Sequence, residues 1–210
     1  FDRTDSQFGR DISFFMFTLP VHHMVQGWLL SAMITTTILT LGIYFLRFSL
    51  RGAVFSLTTP VRIHMSILGA LILIVFAYGY VLGIFDLVYS DRGAVFGATY
   101  SDIHARIPGF YILLAVVLAG VVLLLTNAFF VRGTRLLVAT GSIWIAAAVI
   151  VGIAFPSLVQ RFQVVPNELE KERQYISRNI DATRAGFGLS GLVQRPFLVD
   201  QDARITPELI

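Results

Sequence analysis

Long apolar stretches alternate with short polar ones along this chain. The apolar stretches run from Val25 to Leu46, Ile63 to Phe85, Gly109 to Phe130 and Leu136 to Phe155, and none contains Asp, Glu, Lys or Arg. Each has roughly 20 residues, which at ~1.5 Å per residue of helix reaches ~30 Å, the thickness of a bilayer's hydrocarbon core. In lipid the backbone must satisfy its own polar groups, so each stretch is predicted to be a helix. A soluble domain could bury one such helix but not four. The predicted fold is therefore an all-α membrane protein with four transmembrane helices. Pro108 and Pro156 are expected to flank the third and fourth spans rather than interrupt them.

The polar segments carry a different pattern. Residues 1–24 form an aromatic-rich lead-in, Phe8 to Pro20, expected to lie in the headgroup layer. Between the second and third spans, Asp86–Pro108 holds Gly93 and Gly97, which suit tight turns. Beyond the transmembrane domain (25–155), residues 156–210 open a polar tail. Val159 to Val165 alternates as a short strand would. Asn167 to Arg184 reads as an amphipathic helix: Asn167 and Glu170 match a capping box, acids crowd the first turn, and Gly186 and Gly188 close it. Leu169, Ile176 and Ile180 share its predicted buried face, with Lys171 facing outward.

Composition agrees with the pattern. Hydrophobic residues make up 56% and charged residues 14%, against about 45–50% and about 25% in soluble domains. The net charge of +3 is small and no basic helix is present, which excludes a nucleic-acid partner. There is no cysteine, so disulfides and thiolate chemistry are absent. The placement of charge is more informative. Arg47, Arg51 and Arg62 lie between spans one and two, Arg132 and Arg135 between spans three and four, and neither segment holds an acid. The positive-inside rule puts these two loops in the cytoplasm, and the lead-in, the Asp86–Pro108 loop and the tail outside. An outside start without methionine or a signal segment suggests an internal piece of a longer protein that carries an odd number of earlier spans.

Candidate chemistry is sparse. His64 falls at the cytoplasmic end of span two, far from His22, His23 and His104, so the feasible metal cluster is Asp102 with His104, joined by Asp86, Asp91 or His23. The simpler reading, a hydrogen-bonded loop that docks the tail, is preferred, with an aspartate such as Asp102 pairing a tail arginine. No metal or cofactor is expected. Glu168, Glu170 and Glu172 alternate around a first helical turn and are read as dipole and solvation residues, not as paired catalytic acids. No nucleophile elbow, phosphate loop or zinc-protease signature occurs. The threonines of span one, Thr35 to Thr37 and Thr40, are expected to satisfy their own backbone. Gly79 with Gly83 and Ala115 with Ala119 offer small-xxx-small steps for close helix packing.

Several motifs together resemble one bacterial membrane-protein family, uncharacterised protein family 0182 (UPF 0182). They are Gln7-Phe8-Gly9-Arg10-Asp11-Ile12-Ser13-Phe14, Tyr89-Ser90-Asp91-Arg92-Gly93, Tyr100-Ser101-Asp102-Ile103-His104-Ala105-Arg106, Pro166-Asn167-Glu168-Leu169-Glu170 and Thr183-Arg184-Ala185-Gly186. Gln174 departs from the proline that the resemblance implies, which favours the helix there. The resemblance implies the later part of a seven-span region followed by a large extracytoplasmic domain, in a bacterial inner membrane. Asp91, Arg92, Asp102, His104, Arg106, Pro166, Asn167, Glu168 and Arg184 belong to these motifs and are assigned structural roles. The expected function is a non-enzymatic module that anchors an extracytoplasmic domain, alone or in a larger membrane complex. Its expected partners are lipid, the chain's own further spans and domain, and complex subunits. The alternatives are part of a transporter or channel, and a membrane subunit holding a haem or pigment.

Overall fold

The computed structural model describes residues 3–50, 58–93, 95–131, 133–189 and 191. Among them four helices are long and apolar enough to cross a membrane: α1 (Phe14–Leu50), α2 (Thr59–Tyr89), α3 (Asp102–Val131) and α4 (Thr134–Gly186). All four are longer than the apolar stretches that announce them. The helices follow one another in space: α1 packs on α2, α2 on α3 and α3 on α4, with α2 also touching α4. Arg51, Arg132 and the tail after Gly191 lie outside the described residues.

The centre of the bundle is the α2–α3 seam. Ala70, Leu73 and Ala77 meet Val117 and Leu124 there. The buried stripe of α3 runs Gly109, Leu113, Val117, Gly120, Leu124, the three- and four-residue steps of one helical face. Small residues set the approach. A Cβ on Gly120 would lie 2.8 Å from Leu73 Cδ1 and 3.2 Å from Thr140 Cγ2. One on Gly83 would lie 3.0 Å from the Phe110 ring. Gly79 and Gly83 thus serve as expected but on two neighbours, since Gly79 meets Gln26 of α1. Ala115 and Ala119 are exposed, so the α3 step expected there is not the contact; Gly120 is. Asn127, fully buried, donates to Ser66 Oγ (2.8 Å) and accepts from Gly133 N–H (2.8 Å), fastening the α3–α4 turn onto α2. Thr36 and Thr37 bond their own helix at the carbonyls of Ala32 and Met33.

Prolines shape the helices in a repeated way. Besides one at Asn127–Val131 that no proline follows, four widened π-helical turns among the described residues occupy Phe14–Thr18, Asp102–Arg106, Ile150–Ala154 and Gln160–Val164. Each ends two residues before a proline: Pro20, Pro108, Pro156 and Pro166. Proline has no N–H and its ring crowds the carbonyl one turn back, and the wider turn relieves that clash without ending the helix. In each case the residue before the proline donates five residues back, as Leu19 does to Phe14 and Val165 to Gln160. Pro156 therefore lies inside α4 and does not bound it. The strand expected at Val159–Val165 is helix instead. Its alternation of apolar and polar side chains is overridden by helical neighbours on both sides.

The consequence is a helical run of 53 residues, Thr134–Gly186, which a 3-10 turn at Val165–Asn167 interrupts: Asn167 leaves helical geometry (φ −130°, ψ 40°) and the tail helix restarts at Glu168. Only its first ~20 residues are apolar enough for a core of ~30 Å. The remainder, with Glu168, Glu170, Lys171, Glu172 and Arg173, projects beyond the span. It ends in a Schellman turn: Gly188 has φ +69°, its N–H reaches Ala185 O (3.3 Å), and Leu189 N–H reaches Arg184 O (2.7 Å). The lead-in is also more helical than expected, because α1 is already under way at Phe14.

Candidate functional site: a polar layer at the tail end of the bundle

Lead-in, α2–α3 loop and tail helix meet at one end of the bundle. The lead-in begins with two side-chain turns. Asp5 Oδ1 accepts from Gln7 and Phe8 N–H (2.9 and 2.7 Å), and Asp11 Oδ1 accepts from Ser13 N–H (2.7 Å). Hydrogen bonds from Ser13 hold the Asp11 carboxyl below its ordinary value. Gly9, at φ +62°, lets the chain reverse between them. Phe8, Phe14, Phe15 and Phe85 then pack at tilted to edge-on angles around Leu19 and Leu82, with Arg10 over the rings of Phe14 and Phe85.

The loop presents the start of α3. Thr99 N–H and Oγ1 both donate to Asp102 Oδ2 (3.3 and 3.2 Å), the carboxylate three residues on reaching back over the start of the helix. Gly93 leaves the room that the Thr99 side chain fills, and Gly97, at φ +116°, closes the loop through its N–H to Ser90 O (2.7 Å). Asp102 is fully buried. Its other oxygen accepts from Arg106 Nη1 (3.0 Å), one turn along the same helix. The expected pairing of Asp102 with a tail arginine is thus corrected, because a local guanidinium one turn away reaches it first.

The tail supplies an acid instead. Glu172 is fully buried, and its two oxygens face Tyr100 N–H at 3.2 and 3.4 Å. That N–H is one of the unpaired donors at the first turn of α3, where the helix dipole favours negative charge. Burial pushes the Glu172 carboxyl above its ordinary value; the Tyr100 bond opposes this, while Asp102 and Glu168 add to it. Burial likewise raises the neighbouring Tyr175 phenol. Around this joint, Lys171 Nζ sits 5.0 Å over the Tyr100 ring, Asn179 Nδ2 donates to Phe96 O (2.8 Å), and Arg178 bonds Gln7 Oε1.

The buried face of the tail helix is therefore Glu172 and Tyr175. Leu169 is 82% exposed, Ile180 is exposed and Ile176 half-buried, so the expected face is corrected by about one residue's rotation. Lys171 faces the loop, not solvent alone. Asn167 stands at the N-cap of the tail helix Glu168–Gly186, as expected, but its side chain makes no cap hydrogen bond. Glu172 is not a solvation residue. A sequence signal existed for it in its step to Tyr175 and Asn179 along one face, but that face is polar and escapes a hydrophobic periodicity.

The histidines separate. His23 Nε2 meets Asp86 Oδ1 (2.7 Å) and His22 bonds the Tyr78 hydroxyl, both along the α1–α2 seam. His64 bonds Tyr44 (3.2 Å), and His104, exposed, stacks on Tyr100 at 4.1 Å. Among the described residues no three His, Cys, Asp or Glu side chains gather as a metal site would need. Asp91 and Arg92 lie exposed in the loop, as do Pro166, Asn167 and Glu168 in the tail, while Arg184 is half-buried.

Comparison with known proteins fits this architecture. The Uncharacterised protein family (UPF0182) matches residues 1–209. This chain belongs to that family. A UPF0182 protein of Moorella thermoacetica is 39% identical over 203 residues, covering 94% of this chain and 22% of the relative. Those of Frankia casuarinae and Sulfurovum sp. are 36% and 32% identical, each covering 96% of this chain, and 20% and 22% of the relative. The chain thus spans about a fifth of the length of the UPF0182 relatives it matches. No solved structure matches it.

Proposed function

We propose that this UPF0182 chain is a non-enzymatic anchoring module that sets the direction in which an extracytoplasmic domain leaves the membrane. The observation that carries the reading is the docked tail helix, which follows the fourth span through one 3-10 turn at Val165–Asn167. A flexible tether would need no buried acid; here Glu172 locks the tail helix to the first turn of α3, and Arg178 and Asn179 fix it to the lead-in and loop. The acids and histidines of the layer spend their hydrogen bonds on backbone groups, Arg106, Tyr78 and, for His23 with Asp86, each other, as positioning groups do. The most apolar window of α1 has no buried residue, and we assign its free face to lipid and to further spans of the longer protein.

Topology is part of the proposal. The arginine bias puts the Arg47 and Arg135 ends in the cytoplasm of a bacterial inner membrane and the polar layer outside. Cysteines at Ser49 and Gly133 should resist an impermeant thiol reagent in intact cells, and one at Gly191 should react. Labelling of the first two in sealed cells overturns the orientation. For the docked tail, four flexible residues inserted between Val165 and Pro166 of the full-length protein should leave membrane insertion intact and expose the polypeptide beyond to protease. An unchanged digestion pattern would remove the orienting role.

A further inference from the structure

Just past the fourth span, a pocket of about 280 Å³ opens between the start of α3 and the side of α4. Arg92, Arg106 and Arg161 line it, together with Ser101, Ser157 and Gln160. Arg106 is paired with Asp102, but among the described residues no carboxylate pairs with Arg92 or Arg161. The pocket therefore carries uncompensated positive charge in a partly enclosed space. Gln160 adds a second, independent sign of a missing partner: its Oε1 is buried without a hydrogen bond. A half-turn of that amide presents its NH2, a donor suited to an anion.

Height and surroundings identify the anion. Ser157, Gln160 and Arg161 follow the last apolar residue of the span, Phe155, by two to six positions, which is ~3–9 Å along a helix. That is the headgroup layer, which adds ~5–7 Å to each side of the hydrocarbon core. Phe155, Leu158 and Phe162 stand exposed on the same stretch of α4, and Val165 lines the pocket itself. A polar floor beside an apolar wall fits an amphiphile. We infer that the pocket formed by Arg92, Arg106, Arg161 and Gln160 binds a phosphate group, carried by an anionic phospholipid of the leaflet at the tail end. Arginine's fork matches two phosphate oxygens at once, which a lone surface charge cannot do.

The test uses the full-length protein purified in mild detergent, delipidated and reconstituted in nanodiscs of phosphatidylcholine with or without phosphatidylglycerol. Native mass spectrometry on release should show one phosphatidylglycerol retained per chain. The Arg92→Ala/Arg161→Ala variant should retain at least tenfold less, with unchanged helical circular dichroism. Arg47→Ala, which removes the same charge from the opposite end, should retain as much as the parent. Retention unaffected by the double variant, or lost equally in Arg47→Ala, overturns the site. A parent that binds inorganic phosphate in the pocket while retaining no phosphatidylglycerol overturns the lipid as its source.

Discussion

The α2–α3 seam and the polar layer are both buried, yet they are built on opposite terms. At the seam, apolar side chains interleave around glycines and a single amide, Asn127, ties a turn in place. In the layer, the fully buried side chains include Asp102, Glu172 and Thr99. Apolar burial gives little net drive between helices already in lipid, so the seam depends on close fit. Outside the hydrocarbon, the tail helix has few apolar residues to bury, so its attachment depends on one acid finding an unpaired helix-start N–H. Fit tolerates conservative change; a buried acid does not.

The sharpest way to break this contrast is Glu172→Arg. It sets a buried cation against Tyr100 N–H at the positive end of α3, at a cost of about 3–5 kcal/mol. The tail should undock, becoming open to protease, while the four spans stay inserted. Next comes the seam: Gly120→Leu overfills the space between Leu73 and Thr140, costing about 1–3 kcal/mol and lowering the thermal midpoint in detergent. Gly141→Ala, where a Cβ meets nothing within 4 Å, should leave the midpoint alone.

Acidity sharpens the comparison further. Because burial raises the Glu172 carboxyl, the docked form holds its proton more firmly than the undocked one. Docking is then strongest below the ordinary glutamate value of 4.5 and weakens as pH rises through the raised one. Spin-label mobility at position 181 should increase over that window, and Glu172→Gln should flatten the response. A label that becomes more mobile on acidification would reverse the sign. The smallest effect belongs to Leu169→Asp, expected within about 0.5 kcal/mol because the side chain stands in solvent.

The same contrast explains what could be read from the chain alone. Depth in a membrane is written in the absence of charge, so all four spans were legible, and so was the turn at Gly186 and Gly188. Facing was not. In a uniformly apolar helix such as α3, Ala119 and Gly120 look alike, and only contact tells that the second is buried. The tail failed for a related reason: Leu169 and Ile180 suggested an apolar face, whereas Glu172 and Tyr175 are what the structure covers. The prolines misled by their usual meaning as boundaries. Pro156 is absorbed by the widened turn before it, which no local propensity announces, whereas Pro166 sits in the 3-10 turn that precedes the tail helix.

Everything proposed for this chain turns on the tail helix keeping one fixed direction after the fourth span. Because the chain has no cysteine of its own, spin labels at Leu158→Cys and Asp181→Cys report on that directly. A straight helix would separate them by about 35 Å, and the turn at Val165–Asn167 brings them closer than that. Pulsed electron paramagnetic resonance on the membrane-embedded protein should give a single narrow distribution below that distance, and Glu172→Arg should broaden it. A distribution already broad in the parent would mean that the tail has no fixed direction and is not docked.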